Sequence, residues 1–133
     1  GDVYKRQYLN LINDLELNDR IIINNKFLDS KMIRDYICAS DLIIQPYIKA
    51  SQSGITPLCY FYETPMVVSD IEGLKEVILR DKSGAIFKKT AENLSTVILE
   101  SLEKKKNLNY KENIKKSKVK YSWLSFIKEL QKL

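Results

Sequence analysis

Histidine is absent from the 133-residue chain. That absence removes Ser/His and Cys/His nucleophilic pairs, histidine zinc sites and general-base catalysis by imidazole, all of which need a side chain that titrates or ligates near neutrality. Any chemistry performed here falls to carboxylates, hydroxyls, amides and lysines. No run of 18 apolar residues occurs, so no stretch reads as a membrane-crossing helix. The N-terminus lacks the basic, apolar, small-residue order of a signal peptide, and the expectation is a cytoplasmic chain with any membrane contact confined to its surface. Cysteine is scarce too. Cys38 and Cys59 both fall inside apolar segments, where a free thiol acts as a small hydrophobe, and a reducing compartment fits.

What is present is ordinary for one soluble globular domain with a single core: 44% of residues are apolar and 29% charged. The net charge of +5 is unevenly placed. From Lys104 onward there are ten lysines against Glu112 and Glu129, a surplus of +8 that leaves −3 on residues 1–103. A basic tail suggests a phosphate-bearing surface, nucleic acid or anionic lipid. Its lysines lie between apolar residues at helical spacing, however, and a solvated helix face accounts for them. The first seven residues, "GDVYKRQ", look unlike the rest of the chain and resemble translated adapter sequence at the ends of assembled metagenomic reads, so residues 1–7 are set apart as a non-native scar. On that expectation the reading frame begins mid-protein.

From Tyr8 the apolar residues fall at Tyr8, Leu11, Ile12 and Leu15, the spacing of a helix with one buried stripe. The β-branched run Ile21 to Ile23 reads as a strand buried on both faces. Asp29 or Ser30 caps a second helix whose buried side is Ile33, Tyr36 and Ile37. "DLIIQPY" is a second strand ended by Pro46. A helix follows from "ASQSGITPLCYFYETP", then a strand in "PMVVSD", a helix in "GLKEVIL" and a strand in "GAIFK". The helix "TAENLSTVILESLEKK" has Thr90 as cap and Leu94, Val97, Ile98 and Leu102 as stripe. Two more helical segments are expected after it, the last presenting Trp123, Phe126, Ile127 and Leu130 on one side. Strands alternating with helices at this spacing imply βαβ units and a doubly wound parallel sheet, an α/β fold. The domain spans residues 8–105, with C-terminal helices over 106–133.

The stretch Ala50 to Thr56 occupies the loop after a strand, and in an open α/β sheet ligands bind outside the carboxyl ends of strands. Thr56 with Pro57 forms a cap and first-turn pair, with Ser51 and Ser53 as alternative caps one turn earlier. Free N–H groups over Ser51, Gln52, Ser53, Gly54, Ile55 and Thr56 would face outward at the positive end of a helix dipole and suit phosphate oxygens. Gly54 allows close approach, and Gln52 can hold a sugar hydroxyl. Taken alone the motif is equally what any βα loop needs for a cap.

Four stretches in order, "DSKMIRDYICASDLIIQPY", "ASQSGITPLCYFYETPMVVSDIEGLKEVI", "KSGAIFK" and "YSWLSFIKELQKL", resemble the C-terminal domain of group 1 retaining glycosyltransferases of the GT-B fold. The resemblance implies a Rossmann-like half that binds a nucleotide sugar, a UDP- or GDP-sugar, and a hexosyltransferase-type reaction onto a glycan or lipid-linked acceptor in polysaccharide biosynthesis. No metal and no other cofactor is implied. Many members place two glutamates eight positions apart around this loop, one near the donor sugar and one on the ribose diol. Here those positions are Ser51 and Cys59, so neither carboxylate is present and the ribose side falls to Cys59. A subset with "TQSG"-like loops is similar, its loop amides and glutamine taking part of the work.

The resemblance puts Asn25, Lys26 and Phe27 on the base side, where the plainer reading is a polar turn with Phe27 in the core. Glu76 matches a glutamate common in the family, or is simply a solvent-facing helix residue. The upstream glycine-rich turn, the Arg/Lys diphosphate clamp and the acceptor domain of such enzymes do not appear in this chain. It is therefore expected to be a fragment, inactive alone, whose last helix crosses back to a missing N-terminal domain. Contact of the lysine-rich tail with the inner membrane face fits a lipid-linked acceptor. The competing readings are a noncatalytic nucleotide- or phosphate-binding α/β module, and a nucleic-acid binder using the tail with Tyr110, Tyr121 and Trp123. The second is disfavoured, because those aromatics sit on the apolar side of a helix rather than on a stacking surface.

Overall fold

The computed structural model describes residues 2–51 and 53–132, with the side chains of residues 2, 121–126 and 129 outside the described set. Helix α1 (Asp2–Asp14) takes in residues 2–7, and α2 (Ser30–Ala39) follows it. Then come β1 (Ile43–Gln45), α3 (Ile55–Phe61), β2 (Met66–Ser69), α4 (Glu72–Asp81), β3 (Gly84–Phe87), α5 (Ala91–Leu102) and α6 (Lys104–Gln131). The strands lie in the order β1, β2, β3, all parallel, with Ile43 beside Met66 and Met66 beside Gly84. Parallel neighbours need a crossover between them, and α3 and α4 supply the two. The α/β class read from the alternation therefore stands.

The middle strand explains the core. Met66, Val67 and Val68 have no exposed surface, as a continuous apolar run requires when both faces of a strand are covered. Met66 and Val68 pack with Cys59 and Tyr60 of α3, Leu74 and Ile78 of α4, and Ile114 of α6. Burying each of the large aliphatic side chains contributes about 1.5–3 kcal/mol. Helix starts follow local chemistry. The Asp29 side chain accepts from the Met32 N–H at 2.9 Å, and the Thr90 hydroxyl accepts from the Asn93 N–H at 3.1 Å. Both satisfy donors that a helix leaves unpaired in its first turn.

Helix α6 laces the amino ends of the strands. The Asn107 amide donates to the Asp41 carbonyl just before β1 (3.1 Å), Lys118 Nζ to the Phe61 carbonyl before β2 (2.7 Å), and the Asn113 amide to the Lys82 carbonyl before β3 (2.9 Å). Its first turn is capped by Glu103, whose carboxylate accepts from the N–H groups of Lys105 and Lys106, both at 3.2 Å. Two separate helical segments were expected here. One helix forms instead, because neither glycine nor proline occurs after Gly84 to interrupt it. Of its expected apolar side, Ile127 is half-buried and Leu130 exposed, while the side chains of Trp123 and Phe126 lie outside the described residues.

Several other expectations are corrected. Ile21 to Ile23 form no strand, and Ile22 is 88% exposed. A β-branched run becomes a strand only where a neighbour takes its backbone groups, and among the described residues none pairs with it. On α1 only Ile12 of the expected stripe is half-buried; Tyr8 and Leu11, and Leu15 just beyond the helix, are exposed. Tyr36, Leu102 and Cys38 are likewise exposed rather than buried. Among the described residues no helix is long and apolar enough to cross a membrane.

Candidate functional site

The carboxyl end of β1 carries the site. Pro46 follows Gln45 and ends the strand, because it cannot donate to the ladder. The chain then runs to Gly54, where α3 begins. Along this segment Ser51 and Gly54 are exposed, while Ala50, Ser53, Ile55 and Thr56 are half-buried. The turn is thus open to solvent at the rim where the other βα connections also emerge. Gln52 lies outside the described residues.

Thr56 is not the helix cap expected of it. Gly54 takes that position in αR backbone conformation with no side-chain cap, and Ser53 Oγ accepts from the Ile55 N–H at 3.1 Å in its place. The Ile55 amide is therefore engaged within the turn. Pro57 falls third in α3, inside the first turn, where a missing N–H costs nothing. The Thr56 hydroxyl is instead held by a residue eleven positions back. Gln45 Nε2 donates to Thr56 Oγ1 at 3.1 Å and lies 3.5 Å from Met66 Sδ, while Gln45 Oε1 accepts from Ser53 Oγ. Gln45 is 2% exposed, and its backbone carbonyl accepts from Ser69 Oγ at 3.2 Å. Sequence reasoning passed over Gln45. The available signal was a lone amide ending an apolar strand, since a buried amide must find partners.

A second support comes from α4. Gly73 sits against the backbone of Ala50 and Ser51, leaving no room for a side chain. Beside it Lys75 pairs with Asp70 at 3.0 Å and Glu72 at 3.2 Å. Its hydrogen bonds to Asp70 and then Glu72 raise the Lys75 pKa. At the same rim a cavity of about 210 Å³ opens among Pro46, Tyr47, Ser69, Phe87, Lys89 and Thr90.

The remaining candidates are dispersed. Cys59 is fully enclosed in the core, and burial pushes its thiol up to about 12. A thiol shut inside an apolar cluster lines no ligand surface, which corrects its placement on the ribose side. Asn25, Lys26 and Phe27 stand in a separate exposed segment ahead of α2. The Lys26 N–H bonds Asn24 Oδ1 at 3.1 Å, and Phe27, read as core in the plainer alternative, is 93% exposed. Glu76 is exposed on α4, one turn beyond Gly73. Among the described residues no three His, Cys, Asp or Glu side chains converge as a metal site.

The rim therefore offers an anchored turn of hydroxyls and amides, beside the Asp70–Lys75–Glu72 ion pairs, as groups able to hydrogen-bond a polar ligand. The family model described as "Glycosyl transferases group 1" matches residues 1–117. No curated protein matches the chain.

Proposed function

The chain belongs to the group 1 glycosyl transferases, and on that premise we propose that it is the donor-binding part of such an enzyme, holding the diphosphate of a nucleotide sugar at Ser51 to Thr56. The observation that carries this reading is the position of the turn: open to solvent, at the carboxyl end of β1, and fixed from behind by Gln45. When the bond from the sugar carbon to the diphosphate oxygen breaks, negative charge gathers on the departing phosphate. Donors already aimed at that place stabilise it without reorganising, most strongly where water is excluded. The Ser51 and Thr56 hydroxyls and the amides of the turn other than that of Ile55, which Ser53 engages, are the donors assigned here, with Gly54 allowing a phosphate oxygen close to the backbone.

In this reading the donor is a UDP- or GDP-hexose, with no metal called for. A glycan or lipid-linked acceptor is presented by a second domain, and the chain alone transfers negligible sugar. Asn25, Lys26 and Phe27 are kept as base-side candidates and Glu76 as a further candidate. The test is amide hydrogen exchange on the purified chain with added UDP or GDP. Protection of the Ser51 to Thr56 amides is the expected result. Protection confined to other segments, or none at saturating nucleotide, would sink the reading, and rapid turnover of either donor would refute the inactivity of the chain alone.

A further inference from the structure

We infer that Gln45 is a positioning residue that decides which hydroxyl of the turn donates outward, an inference that rests on the donor-binding reading above. A primary amide carries both donors and an acceptor. In Gln45 these are divided between two hydroxyls. Oε1 accepts the proton of Ser53, whose own oxygen then accepts from the Ile55 N–H at 3.1 Å. Ser53 is thereby committed to holding the turn together. Nε2 occupies one lone pair of Thr56 at 3.1 Å, so the Thr56 hydroxyl is used as an acceptor on its inner side and keeps its own proton to give. The Met66 sulfur, 3.5 Å from Nε2, favours this orientation of the amide over its flip, because sulfur accepts weakly and donates nothing.

The arrangement is rigid for a reason. Gln45 is 2% exposed at the end of a paired strand, and Ser69 Oγ fixes its carbonyl at 3.2 Å. Its amide cannot turn to water for other partners, so leaving either hydroxyl unbonded would strand a buried polar group. The strand thus passes its register to the turn, eight residues to Ser53 and eleven to Thr56. Gln45 touches no ligand in this scheme and acts only through the hydroxyls. Thr56 supplies the directed donor, and phosphate oxygens, which only accept, are the complementary partner.

The experiment measures the affinity of the 133-residue chain for UDP and GDP, and for uridine and guanosine as phosphate-free controls. The variants are Gln45→Met, Thr56→Val, their combination, and Thr56→Ser. Gln45→Met and Thr56→Val should each weaken nucleoside diphosphate binding about tenfold, the size of one hydrogen bond to a charged group. Nucleoside affinity should not change, and the double variant should lose no more than either single one. Thr56→Ser, which keeps a hydroxyl, should restore affinity. Additive losses, equal losses for the nucleosides, or undiminished diphosphate binding by Thr56→Val would overturn the inference while leaving the donor site intact. Should Gln45→Met fail to fold, which circular dichroism reads, undiminished diphosphate binding by Thr56→Val still overturns the inference. If the unaltered chain binds neither UDP nor GDP, the donor-binding reading and this inference both fall.

Discussion

Gly73, in the first turn of α4, faces Ala50 so closely that a Cβ built on it would collide with the Ala50 carbonyl oxygen and stand 2.5 Å from the Ser51 carbonyl carbon. The contact is backbone on backbone, with no flexible side chain to give way. The turn at the rim is therefore seated on two sides, by a buried amide from β1 and by a bare helix start from α4.

Gly73→Ala should displace the turn rather than merely crowd it. Overpacking of this kind costs about 1–3 kcal/mol, and denaturant unfolding should show that loss. Nucleoside diphosphate affinity should fall further than stability alone explains, because at the temperature of the binding assay the variant remains folded. Unchanged affinity would mean that the Ala50 and Ser51 backbone does not shape the site.

The two thiols should differ in reactivity. Cys38 is exposed and Cys59 buried, so a thiol-labelling reagent at neutral pH should modify one cysteine quickly and the second only on unfolding. Labelling of both in the native chain would contradict the enclosed position of Cys59.

Alkaline stability follows from the same residue. Burial moves the Cys59 thiol from 9.0 to about 12. Between those values the unfolded chain has released the thiol proton and the folded chain has not, so stability must fall as pH rises through that window. Relative to Cys59→Ala, the unaltered chain should lose its advantage progressively from pH 9 towards 12, as followed by thermal unfolding. A constant difference would exclude any contribution from the Cys59 proton.

Tyr60 ties α3 to the end of α4. Its hydroxyl lies 2.6 Å from Asp81 Oδ2 and 2.9 Å from Ser83 Oγ, and the Ser83 side chain has no exposure. Tyr60→Phe removes one partner of a buried pair, which costs about 1–3 kcal/mol. The midpoint of urea unfolding should drop accordingly, while the turn at the opposite end of β1 should bind nucleotide as before.

How far the sequence foretold all this depended on how local each cause was. Asp29 and Thr90 cap the helices expected of them, because a cap is decided within three residues. β2 was legible because Met66 to Val68 has the unbroken apolar texture of a strand covered on both faces. Ile21 to Ile23 has the same texture and forms nothing, since pairing depends on a neighbour that propensity cannot supply. Tyr8, Leu11 and Leu15 fall at helical spacing and α1 is a helix, yet the spacing says nothing of what covers the stripe. At the site the turn was legible and its hydroxyl chemistry was not. Thr56 read as a cap because the residues beside it suit one, whereas its partner, Gln45, stands eleven positions away across the fold.

The three bonds from α6 to the carbonyls of Asp41, Phe61 and Lys82 have a consequence for the whole sheet. Each secures the chain just ahead of a different strand, and all three lie on the rim away from the ligand turn. Binding can then adjust one edge of the sheet while the other stays pinned. Removing the chain from Asn107 onward would take away all three bonds at once, which makes this basic helix a clasp on the sheet and not an appendage to it.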